Sequence, residues 1–344
     1  MGRHSPVVLQ IPEVCHWNPY IALAERHLQA RGVQVVRPAL CLDQPDVPPP
    51  APAVEIDPRP DIVHVHWPEM LATRYGIDRA LTTLRDLTAR GARIVQTVHD
   101  LQPHESSPEL VAYLHEVDAL TSGSHFFSAE HEQQARLHRP KLPGLRTLLP
   151  HPAFPASNRP ERRATTPGDE VVLGCFGRIR PYKRFAEFAG AFGRTARTGF
   201  RLLIAGEPHS AELHQALRHL AERHPQLTYL PGFQCDEDFS ALVSEVDWVA
   251  LPYRRVFSSG VLVAAIQAGR PVLSPRPTGA DAYALGANLS TVEPWDDVTA
   301  IERWMDIARL PRPPAPPRSL PTWDAASTHL IAFYDQVRKV PRDS

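Results

Sequence analysis

The stretch from residue 171 to residue 206 restricts the folds open to this 344-residue chain more than any other segment. It begins with a short apolar run, VVLGCF, that ends at Gly177, and such a run between turn residues is typical of a buried strand. Phenylalanines and alanines then recur at helical spacing after residue 183, and a second apolar run occupies 201–205. The segment therefore predicts a strand, a turn, a helix and a second strand, the repeating unit of an α/β domain with a parallel sheet.

Positive charge is concentrated in the predicted turn after the first of these strands. Arg178, Arg180 and Lys183 follow Gly177, whose bare backbone allows a ligand to approach closely. In open α/β sheets, ligands bind outside the carboxyl ends of the strands, and helix N-termini attract anions. We therefore predict that Arg178 and Lys183 bind phosphate.

Residues 248–273 predict a second anion site in the same domain. An apolar strand at 248–252 is followed by a loop, a helix at 261–267 and another strand that begins at 271. Ser258 or Ser259 can cap the helix, and Gly260 lets a ligand lie against the first turn, where the amide of Val261 is available. Two phosphate sites in one domain indicate a diphosphate ligand.

These motifs and their order resemble a known family. The segments GRIRPYK, Ala205-Gly206-Glu207 and LPY…SSGVLVAAIQAGRPV are similar to the C-terminal half of a GT-B glycosyltransferase of the family-4 type, also called group 1. The resemblance implies an α/β protein with two Rossmann-like, doubly wound parallel-sheet domains that face each other across a cleft. It also implies a hexosyltransferase whose C-terminal half binds a nucleotide-diphosphate sugar.

Composition and proline content predict the domain boundaries. We expect an N-terminal, acceptor-side domain over 1–153, a polar linker without periodicity over 154–168, and a C-terminal donor-binding domain over 169–310. A proline-rich crossover and a final helix, over 311–344, are expected to pack back on the N-terminal domain, as the resemblance implies. The proline-rich segment 42–60 reads as a surface excursion within the first domain.

The resemblance also assigns expected roles to individual residues. Gly206, Glu207 and Phe233 are expected at the base and ribose of the donor, with ordinary packing as the alternative for Phe233. His99 follows the predicted strand 93–98 and is expected to face the donor sugar. A polar loop without catalytic function is the alternative for His99 and its neighbours.

Residues of the acceptor or sugar site are expected in two loops of the N-terminal domain. Trp17, Asn18 and Tyr20 lie in or beside the loop after the first predicted strand, where Asn18 can instead cap a helix that begins at Pro19. Glu69 follows the predicted strand 61–67 and either binds an acceptor hydroxyl or caps the next helix.

One departure from the family concerns its stereochemistry. Many members carry two glutamates that flank the second phosphate site, and the corresponding positions here are Val256 and Ala264. Retention of configuration, which needs no protein base, is the leading expectation. The alternative is inversion, with Asp100, Glu105 or His99 as the general base. Further alternatives are a nucleotide-sugar epimerase or hydrolase and a non-catalytic donor-binding subunit, since a fold does not fix a function.

The composition restricts cofactors and partners. A net charge of −1 argues against a nucleic-acid partner, which would require a basic face. The donor is expected to be a UDP-, GDP- or dTDP-sugar, and the acceptor a hydroxyl of a small molecule, a glycan or a lipid-linked sugar. No cofactor and no metal are expected: His64 and His66 form an HxH pair without a third ligand, and Asp236 and Asp238 lie at a helix start.

The sequence also predicts a compartment. The four cysteines show no CxxC spacing and read as buried thiols in a reducing environment. No apolar run approaches the about 20 residues that a membrane span needs, and the N-terminus lacks the apolar core of a signal peptide. We therefore expect a cytoplasmic protein whose membrane contact, through the helix predicted over 127–139, is at most peripheral.

Overall fold

A computed structural model describes residues 5–12, 18–36, 58–101, 107–155, 170–276, 288–291, 297–309 and 320–341. The chain divides into two compact units. The first unit comprises Met1–Pro152 and Pro321–Ser344, and the second comprises Ala153–Leu320. Most of the predicted proline-rich excursion, of the predicted linker and of the predicted crossover lies outside the described residues.

The first unit contains a parallel six-stranded sheet in the order β2-β1-β3-β4-β5-β6. Its strands are β1 (Val7–Ile11), β2 (Gln34–Val36), β3 (Ile62–Val65), β4 (Arg93–Thr97), β5 (Thr121–Phe126) and β6 (Arg146–Leu148). Its helices are α1 (Pro19–Gln29), α2 (Pro68–Tyr75), α3 (Ile77–Ala89), α4 (Pro108–Leu120), α5 (Ala129–His138) and the C-terminal α11 (Trp323–Arg338).

The second unit contains another parallel six-stranded sheet, in the order β12-β11-β10-β7-β8-β9. Its strands are β7 (Val171–Phe176), β8 (Phe200–Gly206), β9 (Leu227–Pro231), β10 (Trp248–Ala250), β11 (Val272–Leu273) and β12 (Leu289–Ser290). Its helices are α6 (Phe185–Gly193), α7 (Ala211–Arg223), α8 (Asp236–Ser244), α9 (Gly260–Gln267) and α10 (Val298–Ala308). The prediction of two parallel-sheet, Rossmann-like α/β domains is confirmed.

The strand orders place a topological switch point in each unit. In the first unit, the chain adds β2 on one side of β1 and adds β3 to β6 on the other side. The switch point therefore lies between the carboxyl ends of β1 and β3. In the second unit the switch point falls between β7 and β10. Ligands of open α/β sheets bind at such points, outside the carboxyl ends of the strands. The loops that follow β7 and β10 are the two segments predicted to bind phosphate.

Buried apolar side chains form separate cores on the two faces of the first sheet. One core lies under α2, α3 and α4 and includes Leu71, Leu84 and Val117. The other lies under α11, where Leu330 and Phe333 pack with strand residues such as Val95. The C-terminal helix is therefore an integral layer of the first unit.

Three predicted elements differ from the observed ones. The single helix expected after the predicted strand 61–67 is two helices, α2 and α3, separated at Gly76. The strand predicted over 119–122 is β5, which begins at Thr121, because the sequence TSGSHF is buried despite its polar composition. The helix predicted after residue 183 is α6, but it is preceded by a short 3-10 turn, Pro181–Lys183, and by Arg184, which adopts a left-handed conformation with φ of 56°.

The prediction of buried thiols is confirmed at one cysteine and wrong at another. Cys175, in β7, is buried and free. Cys235 is free but exposed, because it lies at the N-terminal cap of α8 and not within a strand. Cys15 and Cys41 lie outside the described residues.

No helix within the described ranges is both long enough and apolar enough to cross a bilayer.

Candidate active site

The carboxyl edge of the second sheet joins the loops that follow β7 and β8. The amide of Gly177 donates to the carbonyl of Ala205 at 3.0 Å, and the amide of Ile179 donates to the carbonyl of Glu207 at 2.8 Å. Parallel pairing thus continues past the ends of both strands. A β-carbon on Gly206 would lie 2.0 Å from the carbonyl oxygen of Gly177, so the two loops can approach this closely only because residue 206 is glycine.

Lys183 lies at the centre of this edge. A β-carbon built on Gly177 would lie 3.4 Å from Lys183 Nζ and 3.5 Å from Val261 Cγ2, so the ammonium group, the glycine and the first turn of α9 converge. Lys183 is 8% exposed, and its Nζ lies 5.0 Å from the centre of the Tyr253 ring. Two segments distant in sequence, 177–183 and 253–261, therefore meet at the switch point.

The environment of Lys183 changes its protonation. Burial, followed by the nearby charges of Arg180 and Arg178, lowers the pKa of Lys183 to about 7. Without an anion, the ammonium group is therefore only partly charged at neutral pH. A bound phosphate would supply an opposite charge beside the ammonium group.

Arg178 and Glu207 form an ion pair at the same edge. Arg178 Nε lies 3.5 Å from Glu207 Oε2, and both side chains are partly exposed. An exposed pair of this kind contributes little to stability, about 0–1 kcal/mol. The predicted phosphate-binding arginine and the predicted ribose-binding glutamate are therefore direct neighbours.

The N-terminus of α9 has the predicted cap. Ser259 Oγ accepts a hydrogen bond from the amide of Leu262 at 3.3 Å, while Ser258 is half-buried and Gly260 is exposed. The amides of the first turn and the helix dipole attract an anion at such an end. A hydrogen bond of 3.1 Å from the Arg254 amide to the Tyr182 carbonyl joins this loop to the 3-10 turn.

The remaining predicted donor residues occupy the rim of the second sheet. Phe233, just after β9, has a side chain that is 47% exposed. Its role at the nucleotide base stays a prediction. Val256 is buried and Ala264 half-buried, so the two positions that the resemblance relates to the family glutamates are apolar in environment as well as in identity.

Buried rings crowd the carboxyl edge of the first sheet. His99 is 5% exposed and stacks on Trp67, with ring centres 4.2 Å apart and planes inclined by 22°. Tyr20 meets the His99 ring edge-on at 5.2 Å and also contacts His151 and Trp323. His99 is therefore held on several sides by rings from different elements.

One chain of hydrogen bonds crosses this edge from α11 to the end of β6. Tyr334 Oη lies 2.7 Å from His64 Nδ1, His64 Nε2 lies 2.8 Å from Thr97 Oγ1, and Thr97 Oγ1 lies 3.0 Å from His125 Nδ1. His125 Nε2 then lies 2.9 Å from the carbonyl oxygen of Leu149, which can only accept. Each member therefore donates to the next, in the direction from Tyr334 to Leu149.

A second set of buried polar groups includes His99 itself. His66 Nε2 lies 2.8 Å from Gln10 Oε1, and His66 Nδ1 lies 3.2 Å from His99 Nε2. Gln10 and His66 are the residues at or just beyond the carboxyl ends of β1 and β3, the strands at the switch point.

Five of the buried histidines at this edge are uncharged at neutral pH. Burial, with smaller contributions from neighbouring histidines, holds the pKa values of His64, His66 and His99 well below 6.5. Burial lowers the pKa values of His125 and His151 to about 4. A neutral imidazole has one nitrogen that donates and one that accepts, so each ring has a definite direction.

The other predicted residues of the first unit have mixed surroundings. Asn18 caps α1, since its Oδ1 accepts from the amide of Tyr20 at 3.0 Å. Tyr20 is 2% exposed, so its ring is part of the packing at this edge. Glu69 lies in the first turn of α2, and the N-cap position of that helix is Trp67. Asp100 is partly buried, and its carbonyl oxygen lies 3.5 Å from Arg139 Nη1.

Two predicted residues, Trp17 and Glu105, lie outside the described residues. Within the described ranges, no group of three or more histidine, cysteine, aspartate or glutamate side chains could hold a metal ion. Metal independence stays a prediction.

Several buried polar residues were not predicted from the sequence. Each is at most 2% exposed, and the set comprises Gln10, Gln96, Thr97, Ser124 and His125. The signal was present, because each is a polar residue near the carboxyl end of an otherwise buried strand. Tyr253, whose ring lies against Lys183, was interpreted only as part of a loop.

Comparison with known proteins identifies similar sequences. Residues 170–305 match the family model described as glycosyl transferases group 1. A GDP-mannose:glycolipid 4-beta-D-mannosyltransferase from Xanthomonas campestris pv. campestris is 27% identical over 279 residues, which cover 77% of this chain and 76% of that protein.

Similar solved structures cover nearly the whole chain. Sucrose-phosphate synthase from Thermosynechococcus elongatus has a TM-score of 0.68 at 15% identity and covers 97% of this chain and 99% of its own. The catalytic domain of starch synthase IV from Arabidopsis thaliana, bound to ADP and acarbose, has a TM-score of 0.63 at 13% identity and covers 98% and 100%. Anabaena HepE in complex with UDP and glucose has a TM-score of 0.59 at 15% identity and covers 97% and 98%.

The family model, the relative that spans three quarters of the chain and the shared architecture agree with one another. The chain is a glycosyltransferase with the GT-B fold, and its residues 170–305 match the group 1 family.

Proposed function

We propose that the protein transfers a mannosyl group from GDP-mannose to a hydroxyl of a glycolipid acceptor, with inversion at the anomeric carbon. The observation that carries the transfer is the convergence of Lys183, Gly177 and the first turn of α9 at the switch point of the second sheet. The identity of the donor and acceptor is supported by the name of the Xanthomonas relative, which spans three quarters of both chains.

The second unit supplies the binding site for the donor diphosphate in this proposal. The leaving diphosphate gains negative charge as its bond to the sugar breaks. Lys183, Arg178 and the amides of residues 258–261 would stabilise that charge where it develops, which lowers the barrier. Glu207 and Phe233, on the rim of the same sheet, are proposed to contact the ribose and the base.

Two observations favour inversion over the retention that is usual in the family. The positions of the two family glutamates are occupied by Val256 and Ala264. The name of the relative specifies a β linkage, and a β linkage formed from an α-linked nucleotide sugar inverts the anomeric centre. Inversion requires a base, and the neutral His99 can serve as one.

The proposed step is a single displacement. The acceptor oxygen forms a bond to the anomeric carbon, while the bond from that carbon to the diphosphate oxygen breaks and its electron pair leaves with GDP. The acceptor proton moves to His99, which becomes an imidazolium and later releases the proton to water. His99 is thus the proposed catalytic residue, and Asp100 and Glu105 are the alternative bases.

Purified full-length protein with GDP-mannose and a short-chain lipid-linked oligosaccharide tests the proposal. We expect a new glycosidic bond whose anomeric proton, observed by NMR, has the β coupling pattern. UDP- and dTDP-sugars serve as donor controls. An α-linked product would establish retention. Donor consumed without acceptor would indicate an epimerase or hydrolase, and nucleotide binding without turnover would indicate a donor-binding subunit.

His99→Ala tests the proposed base. General acid-base catalysis contributes about 10²- to 10⁴-fold, so kcat should fall by about that factor. Binding of GDP, measured by calorimetry, should not change, because the proposed nucleotide contacts lie in the second unit. Full turnover by His99→Ala would exclude His99 as the base while leaving the donor site intact.

A further inference from the structure

We infer that Gln10 and His66 are positioning residues that determine which ring nitrogen of His99 carries the proton. The inference rests on the role of His99 proposed above. It concerns three side chains on neighbouring strands of the first sheet, where Gln10 belongs to β1, His66 follows β3 and His99 follows β4. The three residues are separated in sequence by 56 and 33 positions.

The order of protons follows from the hydrogen-bonding capacity of each group. Gln10 Oε1 is a carbonyl oxygen and can only accept, so His66 Nε2 carries a hydrogen and donates to it at 2.8 Å. A neutral His66 then has a lone pair on Nδ1, which accepts from His99 Nε2 at 3.2 Å. His99 is neutral as well, so its Nδ1 has no proton.

Packing fixes the plane of the His99 ring. The hydrogen bonds that join Gln10, His66 and His99, called the relay below, fix which edge of that ring faces His66. Trp67 stacks on one face of His99 at 4.2 Å, and Phe127 lies 5.4 Å away, with its ring inclined by 56°. These contacts alone would allow the ring to turn by 180° about its Cβ–Cγ bond, which exchanges the positions of the ring nitrogens and ring carbons. The hydrogen bond to His66 selects one of the two orientations, with Nε2 directed at His66.

The resulting tautomer suits the role proposed for His99. An unprotonated Nδ1 can accept a hydrogen bond from a substrate hydroxyl and then its proton. The reversed order of protons, with Nδ1 protonated, could only donate a hydrogen bond. Loss of the correct tautomer is costly in other enzymes that use histidine as a base.

The surroundings of His99 include several other ionisable groups. The groups that lower its pKa, besides burial, are His125 in β5, His151 after β6, His64 in β3 and His131 in α5. His66 contacts it directly. Asp100 adjoins it in sequence. Because His64, His66, His125 and His151 are themselves neutral at pH 7, the relay works over the physiological range of pH.

The Gln10 amide also defines what would contradict the inference. Gln10 Nε2 is buried and has no hydrogen-bond partner among the described residues. Exchange of the amide oxygen and nitrogen would direct an N–H group at His66 and reverse every proton in the relay. The observed orientation, with the oxygen toward His66, is the one on which the inference depends.

Long-range ¹H–¹⁵N NMR of the full-length protein, labelled at histidine, measures the tautomer directly at pH 7.5. The His99 signals are assigned by their loss in His99→Asn. We expect a protonated Nε2 and an unprotonated Nδ1 in the unmodified protein. A protonated Nδ1 would overturn the inference, whatever the activity of the enzyme.

Gln10→Met tests the dependence on Gln10, since methionine is close in shape but its thioether sulfur is only a weak acceptor for the hydrogen of His66. We expect the His99 signals to broaden or report both tautomers. We also expect kcat to fall by about 10- to 100-fold, as when outer partners of ligating histidines are removed. The KM for donor should not change. An unchanged His99 spectrum in Gln10→Met would refute the inference.

Gln10→Glu keeps the acceptor oxygen and adds a titratable group. With the introduced carboxylate ionised and His66 neutral, the order of protons is that of the unmodified protein. When His66 gains a proton at lower pH, it donates from Nδ1 to His99 and reverses the His99 tautomer. We therefore expect near-normal kcat at high pH and a new loss of kcat toward low pH. A pH profile parallel to that of the unmodified protein would contradict the relay.

Tyr334→Phe is the matched control. It removes a buried hydroxyl from the other hydrogen-bond chain at the same edge, because Tyr334 bonds His64 and not His66. A comparable loss of stability is expected, without a change in the His99 tautomer. If His99→Ala kept full turnover while the tautomer was as inferred, the proposed base would be wrong and the relay would stand.

Discussion

The two sheets of this protein are alike in architecture and opposite in the chemistry of their carboxyl edges. Both contain six parallel strands flanked by helices, and both have a switch point. The edge of the first sheet is filled with neutral histidines and aromatic rings, whereas that of the second contains a buried lysine, glycines and a helix N-terminus. The same fold thus provides one edge whose buried histidines are neutral and one edge with a buried lysine whose charge an anionic ligand would stabilise.

The difference teaches how burial acts on opposite kinds of group. In the first sheet, burial keeps imidazoles neutral, and neutral rings can satisfy one another through directed hydrogen bonds. In the second sheet, burial lowers the pKa of Lys183, and the nearby charges of Arg180 and Arg178 lower it further. The buried histidines of the first sheet therefore need no ligand to satisfy them, whereas an anionic ligand would stabilise the charged form of Lys183 in the second sheet.

Acid should destabilise the first unit more than the second, and this is the largest effect among these predictions. Five buried histidines of the first unit have folded-state pKa values below the unfolded value of about 6.5. The unfolded chain therefore binds more protons below that pH, and each histidine removes stability with a slope approaching about 1.4 kcal/mol per pH unit. The first unit should lose several kcal/mol between pH 7.5 and pH 5.5.

The second unit should change much less over the same range. Lys183 has a folded pKa of about 7 against about 10.4 when unfolded, so most of its cost is already present at pH 7.5. Hydrogen exchange by mass spectrometry, which reports the units separately, checks both expectations. Equal loss of protection in peptides of the two units at pH 5.5 would break the contrast.

Lys183→Ala should have the next largest effect. A hydrogen bond to a charged group is worth about 1.5–3 kcal/mol, so affinity for the donor or kcat/KM should fall at least about tenfold. The melting temperature should not fall by much, because burial and two nearby arginines already disfavour the charged form of Lys183. Arg201→Ala, which removes an exposed cation from β8, is the control and should leave the kinetics unchanged.

Donor binding should be linked to uptake of a proton, the smallest of the effects. A diphosphate beside Lys183 would raise its pKa from about 7, so the lysine would gain up to about one proton on binding near pH 7.5. Affinity for GDP should fall as pH rises above 7. Calorimetry in buffers of different ionisation heat measures this uptake. Lys183→Arg keeps its charge at all pH values and should bind GDP without proton uptake. Equal uptake by that variant would show that a group other than residue 183 gains the proton.

Prediction from sequence was most successful where chemistry is local. The cap at Ser259 and the glycine that follows it are encoded within four residues, and the observed hydrogen bond to the Leu262 amide follows from that spacing. The strand β7 and the cations after it are likewise adjacent in sequence. Local signals were less exact for β5: the predicted strand ended at Ser122, yet the polar residues up to Phe126 are paired in the sheet because β4 and β6 flank them.

The sequence did not predict which side chains contact one another at the two carboxyl edges. The ring of Tyr20, expected at the acceptor or sugar site, is buried among His66, His99 and Trp323, and its contact with a substrate stays a prediction. Arg178 and Glu207 were assigned to different parts of the donor, and they turn out to be paired. Neither contact leaves a periodic signal, since each joins residues from separate loops.

The sequence by itself determined the alternation of strands and helices, the caps, and the glycines and cations that mark one edge of the second sheet. These depend on interactions between neighbours in the chain, whose energies do not require a distant partner. Only the tertiary structure decided that Lys183 is buried beside Tyr253 and that Gln10, His66 and His99 are in line. A pKa or a tautomer depends on the solvent excluded and the partners supplied by remote strands, and parallel sheet order brings those partners together.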